Sequence, residues 1–192
     1  MYKDYLKRAF DIFFAFILLC IISPLFLLIY VVLIITQKGS PFFRQIRPGR
    51  YEKPFTIIKF KTMSNKRNTQ GELLMDNERI TNIGSFLRKS SLDEIPQLIN
   101  VLKGEMSFIG PRPERKVFIE KLIESIPLYD SRHLIKPGIT GWAQVKYDYG
   151  ENIEDSYKKL EYDLYYIKNR SVTLDIRIIF KTINTIAFYK GL

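Results

Sequence analysis

Asp93 and Glu94 are adjacent carboxylates in the run Ser90-Ser91-Leu92-Asp93-Glu94-Ile95-Pro96-Gln97-Leu98. A carboxylate can attack a phosphoryl centre and hold it covalently as an acyl phosphate. Phosphoryl transfer is catalysed mainly by positioning and charge neutralisation, so cations must surround the group in flight. Lys59, Lys61, Arg88 and Arg112 are available for that purpose, and a Mg²⁺ held by one or two carboxylates and substrate phosphates would add to them. A helix beginning at the pair would also aim backbone N–H groups at the same anion. The plainer alternative is a helix cap with a favourable dipole interaction, worth about 1 kcal/mol. Spacing alone leaves both readings open. No Gly-x-Gly-x-x-Gly, Walker-type loop, His-Glu-x-x-His or Cys/His metal cluster is present. His133, the one histidine, suits a surface or capping role better than catalysis.

The elements that must position these groups follow from periodicity. Phe55 to Met63 reads as a strand in which Lys59 and Lys61 share one face, either solvated or part of an anion site. Ser64 to Glu72 is a polar loop, and Glu78 to Lys89 a helix with Ile80, Ile83 and Leu87 on one side. Ser91 with Glu94 fits a capping box, whereas Pro96 pulls the helix start toward Asp93. Gly104 stops that helix. Pro111 and Pro113 stiffen the backbone around Arg112. Glu114–Ile126 and Asn152–Asn169 read as amphipathic helices, the latter with Tyr157, Leu160, Leu164 and Ile167 inward and Asp163 among tyrosines. A last helix, Thr173–Tyr189, gathers Ile176, Ile179, Phe180, Ile183, Ile186 and Ala187 on one face. That face is either core or an interfacial surface, and Phe188 and Tyr189 favour membrane contact.

All of this hangs behind one apolar stretch, Ala9 to Ile35, broken only by Asp11, Ser23 and Pro24. Ile12 to Ile35 would make a helix of about 36 Å, long enough for a bilayer core of about 30 Å. Pro24 lies at its midpoint and withdraws the donor that would meet the Cys20 carbonyl. Lys3, Lys7 and Arg8 precede the stretch, and Lys38, Arg44, Arg47, Arg50 and Lys53 follow it, so the positive-inside tendency draws both ends to one side. The expectation is a re-entrant helix–break–helix hairpin, with the Ser23 hydroxyl satisfying carbonyls freed at the break. A Pro-kinked single span is the alternative. The expected organisation is a hairpin over 1–38 and a catalytic domain over 39–192. The fold class is α+β and mostly helical, with interfacial helices and a short strand element.

Net charge is +10, from 30 Lys plus Arg against 20 Asp plus Glu over 192 residues. With a membrane segment, such a balance points to anionic headgroups and anionic substrates. The charge is spread along the chain without a nucleic-acid module, which argues against a nucleic-acid partner. Cys20 is the only cysteine, so no internal disulfide forms, as suits a cytoplasmic-facing domain.

Six motifs in order now carry a resemblance. They are Ser23-Pro24 in an N-terminal apolar hairpin, Lys59-Phe60-Lys61-Thr62-Met63, Ser91-Leu92-Asp93-Glu94 with Gln97-Leu98 and Asn100-Val101, Met106 to Pro113, Lys136 to Val145, and Tyr162 to Asn169. Over almost its whole length the chain resembles the monotopic phosphoglycosyl transferases, or bacterial sugar transferases. The resemblance implies transfer of sugar-1-phosphate from a nucleoside diphosphate sugar, usually a UDP-sugar, to polyprenol phosphate with release of UMP. It gives Asp93 the nucleophile's role in a ping-pong reaction through a phosphosugar–enzyme intermediate. Glu94 assists, by orienting the metal or by accepting a proton. Mg²⁺ is carried over as cofactor at Asp93. Lys59, Arg88 and Arg112 carry over as phosphate or nucleotide contacts, with Asp163 a further substrate-site member. Implied partners are membrane lipids, a homodimeric second copy and downstream glycosyltransferases, at the cytoplasmic face of a bacterial inner membrane. Lys7 and Arg8 would sit at headgroup level near the acceptor phosphate. The segment Tyr147-Asp148-Tyr149-Gly150 and the last helix look more like the catalytic part of larger members, which suggests either a short enzyme or a catalytic piece. The competing functions are a membrane-anchored scaffold, with Asp93-Glu94 only a cap, and a glycosyltransferase that releases UDP.

Overall fold

The computed structural model describes residues 5–37, 39–147 and 152–187, so Lys3, Lys38, Asp148 to Gly150, Phe188 and Tyr189 lie outside it. The chain is α+β and mostly helical. Its first element, α1 (Lys7–Gln37), is a single helix of 31 residues that contains Pro24. Helix therefore runs through the position where a helix–break–helix was expected. The reason is local: Ser23 Oγ donates to the Cys20 carbonyl at 2.8 Å, replacing the N–H that Pro24 lacks.

α1 is buried toward its two ends, at Lys7, Asp11 and Ala15 and again at Ile29 and Leu33, with Leu18, Leu19 and Phe26 half-buried between them. At the N-terminal end Lys7 Nζ donates to Asp175 Oδ2 at 2.8 Å and Arg8 donates to the Val101 and Leu102 carbonyls. Asp11 Oδ1 accepts from Ser107 Oγ at 3.0 Å and from the Phe108 N–H at 3.1 Å. Both cations expected at headgroup level are thus spent on protein partners. At the far end Gln37 Nε2 donates to the Lys61 carbonyl at 2.8 Å. Between them Ala15 packs with Phe55, Ile57, Leu98 and Val101, and Ile29 and Leu33 pack with Phe60 and Leu87. Phe10, Phe13, Phe14, Phe16, Leu27 and Ile35 are among the large apolar side chains left exposed on the opposite side. A face of that size on a soluble surface would be unstable, and α1 is long and apolar enough to cross a membrane.

Behind α1 stands an antiparallel hairpin, β1 (Phe42–Pro48) with β2 (Pro54–Phe60), in which Phe43 faces Lys59. Lys59 lies two residues beyond the buried Ile57 and so shares its face. Lys61 falls just past the strand. Next come α2 (Asp76–Arg79), α3 (Asn82–Lys89), a 3₁₀ turn at Leu92–Glu94 and α4 (Gln97–Lys103), which ends at Gly104 with φ 86°. The expected helix from Glu78 is interrupted at Ile80, and Thr81 caps α3 by accepting from the Gly84 N–H. Asn100, fully buried, accepts from the Ile58 N–H and donates to the Thr56 carbonyl and to Glu105, tying α4 to β2.

The second half is built on a parallel pair, β3 (Ser107–Ile109) and β4 (Gly138–Thr140). A side chain at Gly138 would start 2.1 Å from the Gly110 nitrogen, so the two backbones meet only because both lack one. Helices α5 (Lys116–Ser125), α6 (Trp142–Lys146), α7 (Ile153–Asn169) and α8 (Val172–Ala187) complete the body. Along α7 the inward residues are Leu160, Asp163 and Tyr166, whereas Tyr157 is 47% exposed. Tyr166 Oη donates to Asp175 Oδ1 at 2.7 Å, joining α7 to α8 and, through Lys7, to α1. Helix α8 buries Leu174 and Ile178 and turns Ile176, Ile179, Phe180 and Ile183 outward. Its apolar stripe is therefore surface, as the membrane-contact reading requires.

Gly84 presses on the strand end that leads to the carboxylate pair. A Cβ there would lie 1.9 Å from the Thr62 carbonyl oxygen. Gly84→Ala should cost about 1–3 kcal/mol by overpacking, read as a lowered Tm in detergent, with activity falling further than stability because Thr62 holds Arg88.

Candidate active site

Five groups from four segments of the chain meet at one place. β2 brings Lys59, α3 brings Arg88, the 3₁₀ turn brings Asp93 and Glu94, and the Pro111–Pro113 loop after β3 brings Arg112. Ser91 takes φ 55° to set the turn and makes no side-chain cap, so the Ser91–Glu94 capping box does not form. The Glu94 side chain has better partners. Its Oε1 accepts from Lys59 Nζ at 2.6 Å and from Arg112 Nη2 at 3.0 Å. Helix α4 starts only at Gln97, and the N–H groups of Glu94 and Ile95 already bond to the Ser91 and Leu92 carbonyls. The helix-terminus donors expected for the anion are thus partly spent, and side-chain cations take their place.

The two carboxylates are electrostatically unlike. Burial opposes the charge on Glu94, yet Arg112 and Lys59 overcome it and hold its pKa at about 2. Asp93 is pushed up to about 6, first by burial and then by the Glu94 charge, while Lys59, Arg88 and Arg112 pull the other way. Asp93 is 9% exposed. Among the described residues nothing hydrogen-bonds to its carboxylate. Arg88 Nε donates to Thr62 Oγ1 at 3.0 Å, which fixes that cation beside the pair.

Asp163 stands behind the site. It is 2% exposed, and its Oδ2 accepts from Arg132 Nη2 at 2.9 Å. Arg132 Nη2 also donates to the Arg112 carbonyl at 3.0 Å, and Nη1 to Tyr129 Oη at 2.7 Å. Asp163 thereby holds the backbone from which Arg112 reaches Glu94. Arg132 and Thr62 carry out this positioning, and neither is among the site residues expected from the sequence. A buried arginine is recognisable only once its partners are in place, and Asp163 is 31 residues away. His133 lies apart, 3.8 Å from Glu52, its imidazole held below its ordinary pKa by burial and by Arg132.

Among the described residues no three carboxylate, histidine or cysteine groups gather around a metal position. Mg²⁺ needs only one or two carboxylates when phosphate oxygens and waters complete its shell. The unpaired Asp93 carboxylate fits that requirement. Glu94 fits it less well, since Oε1 is taken by two cations.

These charges make stability depend on pH with opposite signs. Asp93 has a native pKa of about 6 against an ordinary 3.8, so its charge costs stability above about 6 and not below about 4. Glu94, at about 2 against 4.5, contributes stability above about 4.5 that is lost as pH falls toward 2. Asp93→Asn should therefore raise Tm at pH 7.5 by several degrees, on the order of 2 kcal/mol, with the gap closing below pH 4. Glu94→Gln should lower Tm at pH 7.5, because Lys59 and Arg112 lose their partner. Thermal unfolding in detergent across pH checks both.

Comparison with known proteins follows the same lines. The family profile described as bacterial sugar transferase matches residues 2–189. An uncharacterised sugar transferase of Bacillus subtilis is 44% identical over 97% of this chain and 90% of its own length. A UDP-N-acetylgalactosamine-undecaprenyl-phosphate N-acetylgalactosaminephosphotransferase of Aeromonas hydrophila is 43% identical over 95% of this chain. A UDP-glucose:undecaprenyl-phosphate glucose-1-phosphate transferase of Escherichia coli is 42% identical over 93% of it. The chain spans 44% and 39% of the lengths of those last two relatives. With nearly its full length matched by the family profile and by a relative of similar size, the chain belongs to the bacterial sugar transferase family.

Proposed function

We propose that the chain transfers sugar-1-phosphate from a UDP-sugar to polyprenol phosphate, releasing UMP, through an aspartyl-phosphosugar intermediate on Asp93. One observation carries the reading. Asp93 is a buried carboxylate among three cations that makes no hydrogen bond among the described residues, while its neighbour Glu94 is clamped by two. A structural carboxylate would be paired; an unpaired one is free to attack. The relatives' names, which specify UDP-sugars and undecaprenyl phosphate, support this choice of substrates.

In the first half-reaction an Asp93 oxygen attacks the β-phosphorus of the donor. The bond from that phosphorus to the α-phosphate oxygen breaks, and UMP leaves with the electron pair. Lys59, Arg88 and Arg112 offset the charge that builds on the phosphoryl oxygens. In the second half-reaction a phosphate oxygen of polyprenol phosphate attacks the same phosphorus and the carboxylate is restored. A bound Mg²⁺, with Asp93 as its protein ligand, would supply further charge neutralisation at the diphosphate. Glu94, with a pKa of about 2, is a poor proton acceptor near neutral pH. Its role is to hold Lys59 and Arg112 in place.

The same proposal puts the chain on one face of a membrane, the cytoplasmic face of a bacterial inner membrane. Lys7, Arg8 and Asp11 at one end of α1 and Gln37 at the other bond to a single body. A perpendicular crossing would drag that body into the bilayer. A re-entrant course, kinked at Ser23-Pro24 with its bare face in lipid, avoids this.

Asp93→Asn should abolish turnover by at least about 10³-fold and remove covalent labelling from a donor labelled in its β-phosphate. UMP release in the wild type, assayed over a panel of UDP-sugars, should rise with pH through about 6 as Asp93 ionises. Release of UDP instead overturns phosphosugar transfer. A cysteine introduced before Tyr5, in a Cys20→Ser background, should react only from the cytoplasmic side; periplasmic labelling restores a single span.

A further inference from the structure

A cavity of about 470 Å³ lies on the protein side of the first turns of α1, between β3, the loop before β4 and the corner joining α7 to α8. Neither carboxylate of the candidate site lines it, nor do Lys59, Arg88 and Arg112. Among the described residues five cations do, Lys7, Arg8, Arg50, Lys136 and Arg170, against the single carboxylate of Asp11. All of these but Lys136 are already committed, Arg50 among them by donating to the Leu134 carbonyl. Lys7 pairs with Asp175, Arg8 meets the carbonyls that end α4, and Asp11 accepts from Ser107 and Phe108. Lys136 makes no hydrogen bond or ion pair among the described residues.

Like charges face one another here. The position a Cβ would take at Gly104 is 3.2 Å from Arg8 Nη2 and 3.6 Å from Lys136 Nζ. Burial, then Arg8, with Arg50 adding to them, keeps the Lys136 ammonium below its ordinary pKa. A half-buried ammonium facing the Arg8 guanidinium is costly unless an anion offsets it. Arginine and lysine together suit a phosphate, the arginines through their planar fork. The volume exceeds what one phosphate needs and leaves room for a headgroup. Tyr5, 85% exposed, lines the same cavity, and Leu6 and Phe10 stand bare on the other side of the same turns. A tyrosine beside an apolar helix face is the usual signature of headgroup depth.

We propose that this cavity binds the headgroup of an anionic membrane phospholipid, its phosphate held by the Lys136 ammonium, at a site separate from Asp93. The proposal rests on the membrane placement argued above. It assigns Lys136, beside the start of α1, to bulk lipid, and it would fix the depth of that end of the helix.

The test is lipid retention by the purified full chain in detergent, read by native mass spectrometry. Phosphatidylglycerol, phosphatidylcholine, undecaprenyl phosphate and inorganic phosphate are titrated separately. The expected result is one phosphatidylglycerol per chain, retained better than phosphatidylcholine and not displaced by millimolar inorganic phosphate. Lys136→Ala should weaken retention about fivefold, Lys136→Arg should restore it, and UMP release from a UDP-sugar should stay at the wild-type rate in both. Equal retention in Lys136→Ala overturns the proposal, as does displacement by inorganic phosphate, which would mark a free-anion site. Lys136-dependent retention of undecaprenyl phosphate without phosphatidylglycerol also overturns it, assigning the cavity to the acceptor. A preparation that retains phosphatidylglycerol but releases no UMP fails the transferase reading and leaves this one standing.

Discussion

The rest of the site depends on the double clamp on Glu94. Lys59 and Arg112 both donate to one carboxylate oxygen, at 2.6 and 3.0 Å. The three groups come from a strand, a 3₁₀ turn and a proline-bracketed loop, so this cluster locks three elements that are far apart in the chain. A buried pair of this kind adds little net stability, but losing one partner leaves an uncompensated charge and is severe. Its main consequence falls on the neighbour. With two cations drawn toward Glu94, the adjacent Asp93 feels a dry environment and a negative charge, and among the described residues it receives no donor of its own. Of the two carboxylates, the one without the clamp is the one held above its ordinary pKa.

Such a clamp needs its own supports, and the fold supplies them at one remove. Arg132, itself buried by Tyr129 and Asp163, fixes the Arg112 carbonyl. Asn100 bonds both backbone groups of the strand segment just before Lys59. Thr62 orients Arg88 and is pressed from behind by the bare backbone of Gly84. None of these groups touches the carboxylate pair. They determine whether the cations around it stay within a few tenths of an ångström of their places, the tolerance such sites require.

What the sequence disclosed and what it hid divide along a physical line. Residue type sufficed for Asp93, Glu94, Lys59, Arg88 and Arg112, since acids and bases near turn residues are conspicuous whatever the fold. Gly104 was legible because a helix end in the left-handed region asks for glycine. The capping box was not, because Ser91 takes the left-handed region itself and Glu94 finds partners from distant elements. The break at Pro24 failed as a helix end because one hydroxyl restores the missing bond. Lys7 looked like a headgroup contact because its partner, Asp175, lies 168 residues away. Each hidden feature is a long-range pairing or a local bond that periodicity does not register. The direction of the α8 apolar face was equally illegible, since a stripe of isoleucines looks the same facing core or lipid.

The placement of charge along α1 follows from the same long-range pairings. In a soluble amphipathic helix the polar residues face water and the apolar ones the core. Here Lys7, Asp11 and Gln37 face the protein, and a row of Phe, Ile and Leu faces away. Polar groups turned inward cost far less when they are paired than the same groups would cost in lipid. The inward bonds therefore do two things at once. They remove charge from the lipid-facing side, and they fasten the helix to the strand whose far end leads, through Gly110, to Arg112. A helix held at both ends by the body that carries Asp93 cannot change its depth without moving the carboxylate by the same amount. Under the proposed function, the depth of the apolar face sets how far the Asp93 carboxylate stands from a phosphate tethered to the bilayer.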